Sequence, residues 1–196
     1  MNTPRNYRRE LFLILVFELL VHLLYLLLGV RMDIYPLIGY WQLIDPHLLK
    51  TDLFRSILYL HIQPPGFNLF IGLILKLFPV MYPFVVQLIY FTLGILALWS
   101  VFLLQARFGV NRYLALILTL LFGASPGYVL FEHHLLYTFP VATLWIISAL
   151  VLHNYFTTRR SGYLVLFFII LCTLAWFRAV VHFIYVFAVL TSTAWG

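Results

Sequence analysis

The 196-residue sequence has very few charged residues and a single cysteine. Asp, Glu, Lys and Arg together make up 9% of the chain, whereas hydrophobic residues make up 64%. A soluble domain contains about 25% charged residues, so this chain lacks the polar side chains needed to cover a water-facing globule. The one cysteine, Cys172, excludes an internal disulfide framework and a cysteine-based metal site. The sequence therefore predicts an integral membrane protein.

Several sequence motifs of soluble enzymes are also missing. The chain has no Gly-rich phosphate loop, no dinucleotide-binding fingerprint and no nucleophile elbow, which argues against ATP, NAD and a covalent serine mechanism. We expect no cofactor, and no motif supports a divalent metal. The formal charge of +6 is expected to orient helices rather than bind nucleic acid, because loop Lys and Arg of membrane proteins stay on the cytoplasmic side.

Long apolar runs predict an all-α bundle of transmembrane helices that forms a single domain over residues 1–196. A bilayer core of about 30 Å needs roughly 20 apolar residues in a helix. We predict five full spans, at residues 11–30, 84–104, 113–130, 138–153 and 163–190. Residues 1–10 form a basic cytoplasmic head, residues 31–63 an outer loop, and residues 64–190 the remaining membrane helices.

The segment at residues 64–78 differs from the five runs. It begins with two prolines, contains Lys76 and is short for a span. Three basic clusters punctuate the chain: Arg5, Arg8 and Arg9; Arg107 and Arg112; Arg159 and Arg160. If all three face the cytoplasm, this segment cannot make a complete crossing, and we predict a half-depth or tilted membrane helix. The alternative is that this segment crosses the membrane completely, and that the short loop at residues 107–112 is an exception to the rule that basic loops stay in the cytoplasm.

The outer loop at residues 31–63 interleaves apolar and polar residues, which is typical of amphipathic helices at a membrane interface. Asp45 before Pro46 predicts one helix start, and Thr51 with Asp52 predicts a second. Either aspartate can cap a helix and still act in catalysis, because a capped loop holds its carboxylate rigidly. The loop closes in a stiff double-proline corner, with His61, Gln63 and Asn68 around it.

Three groups of polar residues lie at predicted membrane depth. Glu18 and His22 share one face of the first span, and we interpret them first as a packing seam. Arg178 and His182 have the same spacing on the last span, where the arginine needs either an internal acid or a ligand phosphate. The third group is Glu132, His133 and His134, which lack the spacing of known zinc sites and are interpreted as interfacial polar residues.

These segments together resemble the GT-C class of integral-membrane glycosyltransferases. The similarity is nearest to the protein O-mannosyltransferase and aminoarabinose transferase type, glycosyltransferase family 39. It rests on the loop with Asp45 and Asp52, the corner at residues 61–65 with the run ending at Pro79, and two later segments. These segments are Pro126 to Pro140, with Leu130, Phe131, Glu132, His133 and Tyr137, and Arg178 to His182.

The resemblance implies transfer of a sugar, with inversion, from a polyprenyl or dolichyl phosphate donor to an acceptor hydroxyl on the extracytoplasmic face. It implies Asp45 as the catalytic base, with Asp52 as second choice. Substrate and lipid-phosphate contacts are implied for His61, Gln63, Asn68, Glu132, His133, Tyr137, Arg178 and His182. The implied partners are membrane lipid, a polyprenyl-phosphate-linked sugar, and an acceptor glycan, lipid or protein.

Two features depart from that class. Its members place two adjacent acids early in the loop, whereas Asp45 and Asp52 are seven residues apart. They also have many more spans, so we expect this chain to be an N-terminal fragment, from a bacterial inner membrane or, if eukaryotic, the endoplasmic reticulum. The alternative is a non-catalytic membrane subunit or lipid-phosphate-binding protein on the same scaffold. A transporter is disfavoured because the two halves show no internal repeat.

Overall fold

The fold is all-α, as predicted. The computed structural model describes residues 6–40, 43–59, 65–178 and residue 191, and those residues form ten helices. They are α1 Arg8–Leu27, α2 Pro36–Gly39, α3 Pro46–Thr51, α4 Leu53–Tyr59, α5 Pro65–Leu77, α6 Tyr82–Arg107, α7 Arg112–Gly123, α8 Pro126–Glu132, α9 Thr138–Thr158 and α10 Ser161–Phe177.

Three of these helices, α1, α6 and α9, are long and apolar enough to cross a membrane. A fourth crossing is available if α7 and α8 count as one span, but they meet at an angle of 59°. The predicted count of five full spans is therefore not confirmed. The span predicted at residues 113–130 is broken, because Ser125 caps a new helix that starts at Pro126. Proline lacks the amide hydrogen that a continuing helix needs.

The last described helix is shorter than predicted. α10 ends at Phe177, and Arg178 has extended backbone angles (φ −151°, ψ 129°). The helix predicted through residues 163–190 is therefore interrupted at Arg178, and the pairing of Arg178 with His182 stays a prediction. The arginine turns its guanidinium over the Tyr137 ring, 5.4 Å from the ring centroid. His182 itself lies outside the described residues.

One end of the bundle holds the described members of the three basic clusters. Trp99 of α6 donates from Nε1 to the Leu11 carbonyl of α1 at 2.9 Å, and Arg112 forms an ion pair with Glu10. The His153 ring of α9 lies against Phe108, which follows α6, at 5.3 Å. The described basic residues at this end, hereafter the basic end, are Arg8, Arg9, Arg107, Arg112, Arg159 and Arg160.

The opposite end, hereafter the loop end, holds the C-terminus of α1, the short helices α2 to α4, and the starts of α5, α6 and α9. Asp45 caps α3, accepting the His47 amide at 2.7 Å, so the predicted cap is confirmed. Asp52 lies between α3 and α4: its amide donates to the Leu48 carbonyl, and its own carbonyl accepts the Ser56 amide. The two predicted helix starts in the outer loop are both present.

The proline-started helix α5 stays at the loop end. Its 13 residues extend about 20 Å, less than the roughly 30 Å of a bilayer core. It packs along α3 and α4, where Gly72 faces Leu49 and Leu53. The next helix, α6, starts beside α3, since Lys50 lies 5.6 Å from the centroid of the Tyr82 ring.

Asn68 ties α5 to the loop before α3. Its side chain is 2% exposed, and its Oδ1 accepts the Ile44 amide at 3.0 Å. The sequence predicted a substrate contact for Asn68, but this hydrogen bond commits its carbonyl oxygen to the fold.

We expect Asn68→Ala to lower the free energy of unfolding by about 1–3 kcal/mol, because the buried Ile44 amide loses its acceptor. The matched control is Thr92→Ala, which removes an exposed hydroxyl that bonds only within its own helix. Thermal unfolding in detergent measures both. An unfolding midpoint for Asn68→Ala equal to that of the control would show that the Asn68–Ile44 hydrogen bond contributes nothing to stability.

Candidate functional site

Four titratable side chains from distant parts of the chain meet inside the bundle. Glu18 and His22 lie on α1, while Glu132 ends α8 and His133 follows it. His22 Nε2 is 3.7 Å from Glu132 Oε2, and His22 Nδ1 is 4.0 Å from Glu18 Oε1. The His22 and His133 rings stack with centroids 4.8 Å apart. We call these four residues the Glu/His cluster.

The break between α7 and α8 positions half of this cluster. The Ser125 hydroxyl accepts the Tyr128 amide at 3.3 Å, and α8 leaves the direction of α7 by 59°. About two turns later, α8 ends with Glu132, whose carboxyl lies beside His22 of α1. A straight helix through residues 113–132 could not make this approach, so the kink that divides the predicted span also builds the cluster.

Two glycines give the carboxylates room. A Cβ at Gly94 of α6 would collide with the Glu132 carboxylate and would lie 2.8 Å from the Tyr128 hydroxyl oxygen. A Cβ at Gly123, the last residue of α7, would lie 3.0 Å from Leu98 and 3.4 Å from Glu18 Oε2. The close helix approach around the cluster therefore depends on the absence of side chains at these two positions.

The cluster is rich in unpaired acceptors. Glu18 is 0% exposed and Glu132 is 2% exposed, and neither carboxyl oxygen of either residue has a hydrogen-bond donor among the described residues. The two carboxyl groups contact each other, and the Tyr128 hydroxyl beside them also lacks a partner in the described part of the chain. Buried carboxylates need a compensating charge or proton, so this geometry is suited to binding a cation.

The imidazoles complete a potential ligand set. His22, Glu132 and His133 each offer one ligand atom, and these three atoms lie within 4.8 Å of one another. The sequence predicted no metal, because the ligands are separated by more than one hundred positions and match no local motif. The signal that was present is the pair of acids and imidazoles at apolar depth, in a chain with only 6 acidic residues.

A second polar contact lies just outside the cluster. Asp33 forms an isolated bridge with His134: its amide donates to the His133 carbonyl at 2.7 Å, and its Oδ2 accepts from His134 Nδ1 at 2.8 Å. This contact fastens the start of the outer loop to the turn between α8 and α9. Sequence reasoning missed Asp33, which has no helix or motif beside it.

The loop end brings together a further group of predicted residues. Phe67 of α5 contacts the Tyr137 ring edge to face at 5.9 Å, and Arg178 lies over the same tyrosine. The adjacent residue of α5, Asn68, holds Ile44 and thereby the start of α3 at Asp45. Asp45 and Arg178 are thus both linked to the first turn of α5, through Asn68 and Phe67 respectively.

Asp52 is placed differently. It lines an exposed groove of about 390 Å³ together with Leu48, Arg55, Ser56 and Tyr59. The structure therefore separates the predicted residues into three places: the Glu/His cluster with Glu132 and His133, the α5 start with Asp45, Asn68, Tyr137 and Arg178, and this groove with Asp52. His61, Gln63 and His182 lie outside the described residues.

Comparison of the chain with protein-family models, with curated proteins and with solved structures found no match. The resemblance to GT-C glycosyltransferases thus depends on the short motifs alone.

Gly94→Ala should lower the free energy of unfolding by about 1–3 kcal/mol, since the added methyl group overpacks a buried contact with Glu132 and Tyr128. The matched control is Gly127→Ala, where a Cβ meets nothing within 4 Å and a helical alanine is favourable. Thermal unfolding of the two variants in detergent measures the difference. If both shift the midpoint equally, the packing described around Gly94 is refuted.

Proposed function

We propose that this chain is a multi-pass membrane glycosyltransferase, or part of one, that uses a polyprenyl-phosphate-linked sugar at its loop end. The single observation that carries the proposal is the position of Arg178. It is a cation stacked on Tyr137, without an ion pair to an acid among the described residues, at the end of the bundle that also holds Asp45. The motif resemblance supports the same chemistry from the sequence.

Arg178 suits the leaving phosphate of such a donor. A guanidinium presents several N–H donors in a plane and pairs with phosphate oxygens in a bidentate manner. Its stacking on Tyr137 restrains the side chain before a ligand binds. Positive charge at this position stabilises the phosphate oxygen on which negative charge develops as the sugar departs.

Asp45 is the proposed base. Its Oδ1 accepts the His47 amide, and this capping bond fixes the direction of the carboxylate at the start of α3. A carboxylate held at the rim of an apolar bundle can accept the proton of an acceptor hydroxyl. Asp52 remains the second choice, in a groove that also contains Arg55.

The distribution of charge supports an extracytoplasmic location for the loop end. The described basic clusters gather at the opposite end of the bundle, and basic residues of short loops stay on the cytoplasmic side. An extracytoplasmic loop end would expose Asp45 and Arg178 to lipid-linked sugars on that face.

Cysteine labelling tests this orientation. In a Cys172→Ser background, which removes the exposed native thiol, a cysteine at Asp52 should react with a membrane-impermeant maleimide in intact cells. A cysteine at Arg107 should react only after the membrane is permeabilised. Labelling of Arg107→Cys from outside would contradict the proposed orientation.

Replacement of the aspartates tests the chemistry. With a polyprenyl-phosphate sugar in liposomes, Asp45→Asn should reduce release of polyprenyl phosphate by about 10²-fold or more, because a general base contributes roughly 10²–10⁴ in rate. Asp52→Asn is the matched control and should retain most of the transfer. The reverse result would assign the base to Asp52. Full transfer by both variants would contradict the proposed catalytic role of these aspartates.

A binding measurement distinguishes the transferase from the alternative, a lipid-phosphate-binding protein without catalysis. Arg178→Gln should weaken retention of polyprenyl phosphate, whereas Arg159→Gln, which removes an arginine stacked on Phe156 at the basic end, should not. Weakened binding combined with absent transfer in the parent protein would favour the binding protein.

A further inference from the structure

We propose that His22, Glu132 and His133 bind a divalent first-row transition metal ion, and that Zn²⁺ fits their chemistry best. Glu18 supports the site from behind His22. The proposal stands on the Glu/His cluster alone, and it does not depend on the transferase or on the residues at the start of α5.

The donor atoms are close enough for one ion. The ligand atoms of His22, Glu132 and His133 lie within 4.8 Å of one another. Tetrahedral Zn²⁺ with bonds near 2.0–2.1 Å keeps its ligand atoms about 3.3 Å apart. An ion at this position requires side-chain rotations that bring the three atoms to that spacing and turn the stacked His22 and His133 rings toward it.

His133 has the hydrogen-bond arrangement of a metal ligand. His133 Nδ1 lies 2.9 Å from the Val129 carbonyl oxygen, which can only accept, so Nδ1 carries the proton and Nε2 keeps its lone pair. His22 Nδ1 faces Glu18 Oε1 at 4.0 Å while its Nε2 faces Glu132. Metal-bound histidines usually donate their other N–H to a carbonyl or carboxylate, as His133 does, whereas the His22–Glu18 distance is longer than a hydrogen bond.

The buried carboxyls of Glu18 and Glu132 require a proton or a cation to neutralise them. The Glu18 and Glu132 carboxyls are 0% and 2% exposed, their oxygens lack donors, and no lysine or arginine of the described chain forms an ion pair with them. A shared proton would satisfy the two carboxyls. It would leave unexplained the two imidazoles whose ring nitrogens lie within reach of the same carboxyl, and a metal ion accounts for these imidazoles together with the carboxyls.

The ligand types select the class of metal. Two imidazoles and one carboxylate are a common zinc set, and other first-row divalent ions also use them. Mg²⁺ and Ca²⁺ prefer oxygen ligands alone. Three protein ligands leave one coordination position for water or an anionic oxygen, and the unpartnered Tyr128 hydroxyl lies beside Glu132.

Metal analysis of the purified full chain tests the site. After chelator treatment in detergent, equilibration with Zn²⁺ and removal of free ion, the parent should retain about one Zn²⁺ per chain. Co²⁺ in its place should give the visible absorption of a tetrahedral site. His22→Asn, Glu132→Gln and His133→Asn should each lose the bound ion, and Glu18→Gln should bind about 10–100-fold more weakly.

His153→Asn is the matched control, because His153 is a histidine at the basic end and should leave metal content unchanged. Absence of retained Zn²⁺, Co²⁺ and Mn²⁺ in the parent would overturn the proposal and leave a shared proton as the cluster's neutralising group. Equal metal content in all variants would also overturn it, since the ion would then be bound elsewhere.

Thermal unfolding tests the site even where a ligand variant fails to fold, because the parent itself provides a readout. Zn²⁺ should raise the unfolding midpoint of the parent and of His153→Asn, because an ion that binds only the folded state stabilises it. The same addition should leave the midpoint of Glu132→Gln unchanged. A parent midpoint that does not respond to Zn²⁺ would refute the site, even if no ligand variant can be purified.

Discussion

The burial of two glutamates against each other in an apolar helix bundle is the constraint around which the structure is arranged. A carboxylate withdrawn from water costs several kcal/mol unless a partner compensates it, and Glu18 and Glu132 have no donor among the described residues. Three separate features of the chain nonetheless create this buried cluster. These are the α7–α8 break at Pro126, the side-chain-free surface at Gly94 and the hydrogen bond that orients His133. The convergence of these local features on an unfavourable burial supports the metal site proposed above.

The turn after α8 links this buried cluster to the loop end. Asp33 pairs with the backbone and side chain of residues 133 and 134, and the Tyr90 hydroxyl of α6 donates to the Leu136 carbonyl at 2.8 Å. The next residue, Tyr137, lies under Arg178 and against Phe67. A short, hydrogen-bonded turn therefore lies between the cluster and the aromatic and cationic group beside α5. This continuity joins the buried site and the proposed sugar-phosphate site in one region of the molecule without making either depend on the other.

The loop end itself is organised by α5. Its first turn contacts the C-terminus of α10 so closely that a Cβ at Gly66 would lie 2.7 Å from the Trp176 carbonyl oxygen. On its other side Asn68 fixes the chain before Asp45. A short helix held between an interfacial loop and the long helices gives the polar groups a rigid frame, which loops alone seldom provide.

The sequence by itself determined the all-α fold class and most helix starts. Composition, apolar run length and proline position act locally, so Asp45 could be recognised as a cap and α5 as a short helix from neighbouring residues alone. Tertiary structure decided what the polar residues do. Asn68 accepts a hydrogen bond from the Ile44 amide, and Arg178 lies over the Tyr137 ring outside any helix. Both partners are distant in sequence. Glu18 and His22 were visible as a polar stripe, and Glu132 and His133 as a polar turn, yet only the bend at Pro126 and the space at Gly94 brought them into contact. Such a meeting depends on the packing of helices separated by more than one hundred residues, which no local pattern encodes.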